Sequence, residues 1–391
     1  MDRLRNANEH IEKYIIDVIN EKQYSNFGMF MRGVLFVFSR IYRNVVQFRL
    51  WMYDKGIFRR MPLGCLVVSI GNLTCGGTGK TPVVEVFAKT LAAKGRKVAI
   101  LSRGYKSRDR TFWEKLKVWS KSNNNEVPPR IVSDGENLLL NSSTAGDEPY
   151  MLASNLQDVV VLVDKDRVKA GRYAINKFGV DTLILDDGFQ YLDLKPHINI
   201  VLVDSTQPFH NHHVLPRGLL REPIKNLRRA DYVFLTKSNG GNHLRHLKKF
   251  VEHHNRNAEI IECCHKPLYL ENVFEQGERI SFEELKSKKI ATICGIAAPE
   301  SFEKFLRDYG ASIVYSKNFA DHHNYTQQEI IDFIVEAKKA KAKIILTTEK
   351  DAVRMPQLSR RDIQFFFLRI EIGIISGIES FDQCISRICF N

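Results

Sequence analysis

Residues 71–82 read Gly-Asn-Leu-Thr-Cys-Gly-Gly-Thr-Gly-Lys-Thr-Pro, and this stretch limits the chain's fold more than any other. An apolar, β-branched run at 66–70 precedes it, and a helical pattern at 82–94, ended by Gly95, follows it. Strand, glycine-rich loop and helix in that order form the setting of a phosphate loop. Glycines let successive backbone N–H groups converge on phosphate oxygens, and the helix N-terminus adds its dipole. The binding loop is Thr74, Cys75, Gly76, Gly77, Thr78, Gly79, Lys80 and Thr81. Lys80 is placed to reach terminal phosphates, and the Thr81 hydroxyl to reach Mg²⁺. Thr74 stands where the general pattern has glycine.

A second motif completes the first. Residues 182–185 are an apolar run that ends in Asp186 and Asp187, followed by Gly188, Phe189 and Gln190. Adjacent carboxylates at a strand tip are costly unless a cation neutralises them. With a phosphate loop upstream they read as the acids that hold Mg²⁺; the bland alternative is an Asp-Gly turn.

Short β-branched runs at 66–70, 97–101, 159–163, 182–185, 198–203 and 232–235 alternate with helical stretches. They lack period-two alternation, as strands buried on both faces of a parallel sheet do. The expectation is an α/β fold: a P-loop NTPase-like, doubly wound, mostly parallel sheet over 61–240. Turn chemistry at 239–242 marks a break. A second, smaller α/β domain is expected over 241–391, with strands at 290–294, 312–315 and 343–347. The basic stretch 106–130 reads as a surface insertion.

Lys and Arg number 58 against 45 Asp and Glu, a net charge of +13 that points to a phosphate-rich partner. More than half of it lies between Lys22 and Arg60, where Asp54 is the only acid. There the bases are interleaved with aromatic and aliphatic residues. At about 100° per residue, Arg32, Ser39, Arg43 and Gln47 share one face, and Val34, Phe38, Ile41, Val45 and Phe48 the opposite one. Arginines interrupt every apolar run before the roughly 18 residues that a spanning helix needs. Residues 1–60 therefore read as a polar segment and a basic amphipathic helix. That helix either lies in a membrane interface or packs its apolar face on the protein's own core. Charge gathered in one such segment argues against nucleic acid as the partner. Seven cysteines without a CxxC pair or secretory leader read as reduced cytoplasmic thiols.

Further motifs are less specific. Asp147, in Gly146-Asp147-Glu148-Pro149, could simply cap a helix, and Asp321-His322-His323-Asn324-Tyr325-Thr326 could be a polar turn. Arg167, and Arg217 and Arg221 within 215–223, carry guanidiniums suited to phosphate. His210, His212 and His213 offer a weak metal set.

The set, in its order along the chain, resembles the tetraacyldisaccharide 4'-kinases, the lipid A 4'-kinases of Gram-negative bacteria. The marks are 71–82, 101–105, 146–149, 186–190, 215–223, 321–326 and 347–353. The resemblance implies transfer of the ATP γ-phosphate, with Mg²⁺, to the 4'-hydroxyl of an acylated glucosamine disaccharide 1-phosphate in a membrane. It implies Lys80 and Thr81 as the loop's Lys and Mg²⁺-binding Thr, and Asp186 and Asp187 as the paired acids. Asp147 matches the family's base and His322 the histidine paired with it. Tyr105, Arg167, Gln190, Arg221 and Glu222 match other functional positions. The implied place is the cytoplasmic face of the bacterial inner membrane, peripheral or monotopic, with anionic lipids and the lipid disaccharide as partners. A membrane-bound P-loop GTPase or partitioning-type ATPase is the rival reading. Three features depart from the family's pattern: His210-Asn211-His212 where it has Gly-Asn-Gly, the length of 106–130, and the leading polar segment.

Overall fold

The structure, a computed structural model, describes residues 14, 17–19, 21, 25–104, 127–241, 243–275, 277–358 and 362–390. Tyr105 and most of the expected insertion at 106–130 lie outside the described residues, as does most of the leading segment.

The elements described in full begin with helix α1 (Asn26–Asp54), strand β1 (Leu66–Asn72), helix α2 (Lys80–Ala93) and strands β2 (Val98–Ser102) and β3 (Arg130–Asp134). Helix α3 (Asp147–Asn155), β4 (Val159–Val163), α4 (Arg167–Phe178), β5 (Thr182–Asp186) and β6 (Ile198–Asp204) follow. Next come β7 (Tyr232–Thr236), α5 (His243–His254), β8 (Glu259–Asn272) and β9 (Arg279–Ser281). The remainder is β10 (Lys289–Cys294), α6 (Pro299–Asp308), β11 (Ser312–Asn318), α7 (Gln327–Lys339), β12 (Ile344–Thr348), β13 (Gln364–Ser376) and α8 (Ile378–Cys389).

The fold is α/β with mostly parallel pairing, and it divides into two compact units that interleave along the sequence. One unit comprises Met1–Lys80, Asp187–Cys263 and Ile375–Phe381. Within it β1 pairs with β6, β6 with β7, and β7 with the start of β8, all parallel. Its core joins Leu73, Phe189, Val201, Val233 and Leu235 to Leu244 and Val251 of α5. The other unit comprises Thr81–Asp186, Cys264–Ile374 and Asp382–Asn391. There β4, β2 and β5 are parallel neighbours, and β10 lies between β11 and β12, with β13 beyond β12. Two pairings are antiparallel: β3 on β4 and β9 on β8. The expected insertion thus ends earlier than Arg130, because Arg130 already pairs with Val163.

Strands β2, β4, β5 and β7 are buried at every residue, which is why their sequences do not alternate. Helix α1 is capped by Ser25, whose side chain accepts from the Gly28 N–H at 3.1 Å. Its polar side faces its own unit. Ser39 Oγ donates to Val214 O (2.9 Å), Tyr42 OH to Arg221 O (3.0 Å) and Gln47 Nε2 to Asn226 Oδ1 (3.2 Å). Phe38, Ile41, Val45 and Phe48 stand 55–61% exposed. Four of the five residues expected on the apolar face are thus exposed, and the fifth, Val34, is half-buried. No helix among the described residues is long and apolar enough to cross a membrane.

Candidate active site

In the first unit, β1 delivers the chain to the glycine loop. Gly71 is obligatory there, since a Cβ would stand 2.8 Å from both the Cβ and the backbone N of Phe189. Asn72 is buried and steadies the loop: its Nδ2 donates to Thr74 O at 2.8 Å, and its Oδ1 accepts from Lys80 Nζ at 3.3 Å. Segment 219–221 lies alongside. Cys75 N donates to Leu219 O and Arg221 N to Leu73 O, each at 2.7 Å, and Thr74 bridges Leu220. On the other side Thr236 Oγ1 donates to Thr78 O (2.8 Å) and Lys237 Nζ to Gly77 O (2.7 Å).

Basic groups converge on Asp187. Its backbone is left-handed, at φ 53°. Arg221 Nη1 lies 2.6 Å from Oδ2, and Lys80 Nζ 3.7 Å from Oδ1. Burial opposes the Arg221 charge, but Asp187 beside it more than offsets that, and the guanidinium's pKa is raised. Gln190 Oε1 accepts from the same Nη1 at 3.4 Å, and its Nε2 donates to Asn72 O at 3.0 Å. Glu222 has a bracing role: its buried carboxylate accepts from Arg229 (2.6 Å) and Asn226 (2.7 Å).

These residues fit a nucleotide and its metal. Gly76, at φ 107°, and Gly77 are exposed, with no atom within 4 Å of where a Cβ would be, so the backbone is open to a ligand. Thr78 Oγ1 is buried without a hydrogen-bond partner among the described residues. Thr81, Asp186 and Asp187 are all oxygen donors, the hard ligands that Mg²⁺ takes.

The departure at 210–212 is accommodated in the backbone. His210 and His212 adopt φ 50° and 62°, the left-handed region glycine reaches most easily. His212 also rests its ring against Phe250, with centroids 5.6 Å apart. Arg217, from the motif at 215–223, is buried and bound to Glu21, whose carboxylate pKa it lowers.

In the second unit, Asp186 ends β5 and accepts from Ser102 Oγ at 3.0 Å. Thr81 lies in the first turn of α2, and Arg167 is buried at the start of α4. Asp147 opens α3, but the cap residue is Gly146, at φ 93°, with no side-chain cap bond. The carboxylate turns instead to His322: Nδ1 lies 3.0 Å from Asp147 Oδ2. Arg354 Nε is 3.4 Å from the same oxygen. His322 sits at φ 63° in the turn between β11 and α7, whose N-cap is Thr326 with Glu329 completing a capping box.

Sequence reasoning missed the basic support of this pair. Lys350 and Arg354 follow β12, four residues apart, within and just beyond the motif at 347–353. Arg354 also binds Asp351 at 2.9 Å and donates to Gly295 O and His323 O. Asp351 is fully buried and accepts from Tyr325 OH (2.9 Å), Gly295 N (3.0 Å) and Thr348 Oγ1 (2.6 Å). Burial nonetheless raises its pKa. The i, i+4 spacing of the two bases was the available signal.

The profile of one protein family, described as Tetraacyldisaccharide-1-P 4'-kinase (LpxK), matches residues 31–389. A tetraacyldisaccharide 4'-kinase of Syntrophus aciditrophicus is 37% identical over 380 residues, covering 94% of this chain and 95% of the relative. The one of Halothermothrix orenii is 34% identical over 371 residues, 92% of each. A crystal structure of LpxK from Aquifex aeolicus in complex with ATP superposes with a TM-score of 0.70 at 29% identity, covering 92% of this chain and all of that one.

Proposed function

The chain belongs to the tetraacyldisaccharide 4'-kinase family, and from that premise we propose which of its residues perform the reaction. It transfers phosphate from ATP to the 4'-hydroxyl of a tetraacylated glucosamine disaccharide 1-phosphate, a step in lipid A biosynthesis. Phosphoryl transfer asks a protein for positioning and charge compensation more than for covalent chemistry. The open backbone at Gly76 and Gly77 cradles the phosphates, with Thr74, Cys75, Thr78 and Gly79 shaping the loop. Lys80 and Arg221, already gathered at Asp187, exchange that carboxylate for phosphate oxygens as nucleotide enters. Arg167 supplies further positive charge. Thr81, Asp186 and Asp187 hold Mg²⁺, which when bound neutralises charge on the phosphates. Gln190 keeps Arg221 and Asn72 in register, and Glu222 braces the segment that carries Arg221.

Asp147 accepts the proton of the sugar hydroxyl, and His322 orients it. The observation that carries this assignment is the Asp147–His322 contact itself. Asp147 follows the N-cap Gly146, and its carboxylate meets the imidazole of His322. The test is transfer of labelled phosphate from ATP to a detergent-solubilised disaccharide 1-phosphate. Asp147→Ala is expected to lose about 10²–10⁴-fold in turnover while still binding ATP. Turnover within a few-fold of wild type would remove Asp147 as the base. Lys80→Ala should cost at least as much in the same assay.

The exposed apolar face of α1 supports association with the cytoplasmic surface of the inner membrane, where the substrate's acyl chains reside. Basic residues along the helix favour anionic lipid, at about 1 kcal/mol each near the surface.

A further inference from the structure

The Asp147–His322 pair has a third member. Lys350 Nζ stands 3.2 Å from His322 Nε2, on the edge of the ring opposite Asp147. We propose that Lys350 is a positioning residue that fixes the tautomer of His322 and thereby the working oxygen of Asp147. This role rests on the reading of Asp147 as the base.

Donors and acceptors decide the tautomer. A lysine ammonium has three N–H donors and no acceptor. At 3.2 Å it must donate, so Nε2 receives and carries no proton. The neutral ring then bears its proton on Nδ1. An ionised carboxylate only accepts, so the 3.0 Å contact to Asp147 requires the same Nδ1–H. Two partners on opposite edges thus select one tautomer. The Nδ1–H and Arg354 Nε both address Oδ2 of Asp147, which leaves Oδ1 to meet the sugar hydroxyl.

The other charges around the ring agree with this. Asp321 Oδ2 is 3.9 Å from Nε2, too far to compete as a hydrogen-bond partner. Lys350 is itself held near the ring by Glu148 at 3.5 Å and Asp321 at 4.0 Å. The backbone fixes the ring from below: His322 N donates to Gly295 O at 3.1 Å, the carbonyl that also accepts from Arg354.

The experiment reads the tautomer directly. The full chain in detergent is labelled with ¹⁵N-histidine, and the His322 ring signals are assigned by their loss in His322→Gln. Spectra are taken at alkaline pH, where ordinary imidazoles are neutral. Wild type is expected to show a protonated Nδ1 and a bare Nε2. In Lys350→Met only Asp147 still selects Nδ1–H, so a minor population protonated on Nε2 is expected to appear that wild type lacks, and Lys350→Arg, which still donates, is expected to suppress it. In the transfer assay Lys350→Met should lower kcat by about 10–100-fold, part of what a positioned base contributes. KM for ATP should stay within about twofold, and Lys350→Arg should recover most of the loss.

A wild-type ring protonated on Nε2 would overturn the proposal without any variant, so a Lys350→Met that fails to fold does not shield it. An unchanged tautomer in folded Lys350→Met would overturn it equally. The assignment of Asp147 as base has its own test, the turnover of Asp147→Ala, so a failed tautomer prediction with that turnover lost separates the two readings.

Discussion

Gly71 and Gly77 bracket the same loop and should answer differently to one added methyl. At Gly71 the new Cβ meets backbone and Cβ of Phe189 at 2.8 Å, and neither can rotate away. Gly71→Ala is expected to lose about 1–3 kcal/mol in urea unfolding, the usual cost of overpacking, and to weaken ATP binding because the loop shifts. At Gly77 the space is empty. Gly77→Ala should unfold within about 0.5 kcal/mol of wild type and lose only nucleotide affinity, read by calorimetric titration with ATP. Equal unfolding losses in both would mean that the Phe189 approach does not limit Gly71. Residue identity made the phosphate loop legible, because that glycine spacing before Lys-Thr suits phosphate binding and little else. Asp147 was less legible. An acid at a helix start reads as a cap, and nothing local says that its carboxylate goes to a histidine 175 residues away. Lys350 was hidden for the same reason: its partner His322 is 28 residues back.

Among elements, α1 inverts the ordinary arrangement of a surface helix. Its hydroxyls and amide bind the protein, and its phenylalanines face outward. Replacing Phe30, Phe38 and Val45 together by Ser is expected to release the protein from vesicles containing anionic lipid, read by co-sedimentation. The melting temperature should barely move, since these side chains are exposed. A large fall in melting temperature with vesicle binding intact would assign the face to internal packing instead. The strands divide by how their charges are used. β1, β2 and β4–β7 were readable because short, uninterrupted β-branched runs bounded by turns seldom form anything but buried strands. β8 and β13 were not, because they bury charge. Glu262 in β8 is buried against Lys248 and Ser238, and Arg369 in β13 against Glu349 at 2.7 Å. A pattern reader counts such residues as surface.

At the scale of the molecule, the same buried charges set a pH response. Burial pushes the Glu85 carboxyl up from an ordinary 4.5 to about 6, with Arg369 only partly opposing it. An acid with a raised folded pKa holds its proton more tightly folded than unfolded. Its contribution to stability is therefore present below about pH 4.5 and is lost as pH rises to about 6, by at most about 2 kcal/mol. Glu85→Gln, which keeps the shape and cannot ionise, is expected to be more stable than wild type by about 1–2 kcal/mol at pH 7.5. At pH 4.5 the two should be close, as denaturant titrations at the two pH values would show. A gain that is the same at both pH values would trace the effect to packing rather than ionisation.

The interleaving of the two units also has a temporal side. Synthesis is vectorial, and domains tend to fold as units once their residues have emerged from the ribosome. The phosphate-loop unit begins with α1 and β1 but is finished only by Ile375–Phe381. That late segment covers β7 and β8: Phe381 packs on Phe234, and Ser376 donates to Glu262 at 3.2 Å. Until those few residues arrive, the nascent chain carries an unfinished core, with the outward-facing phenylalanines of α1 already made. The protein is thus obliged to wait for almost its whole length before the unit that grips nucleotide can close.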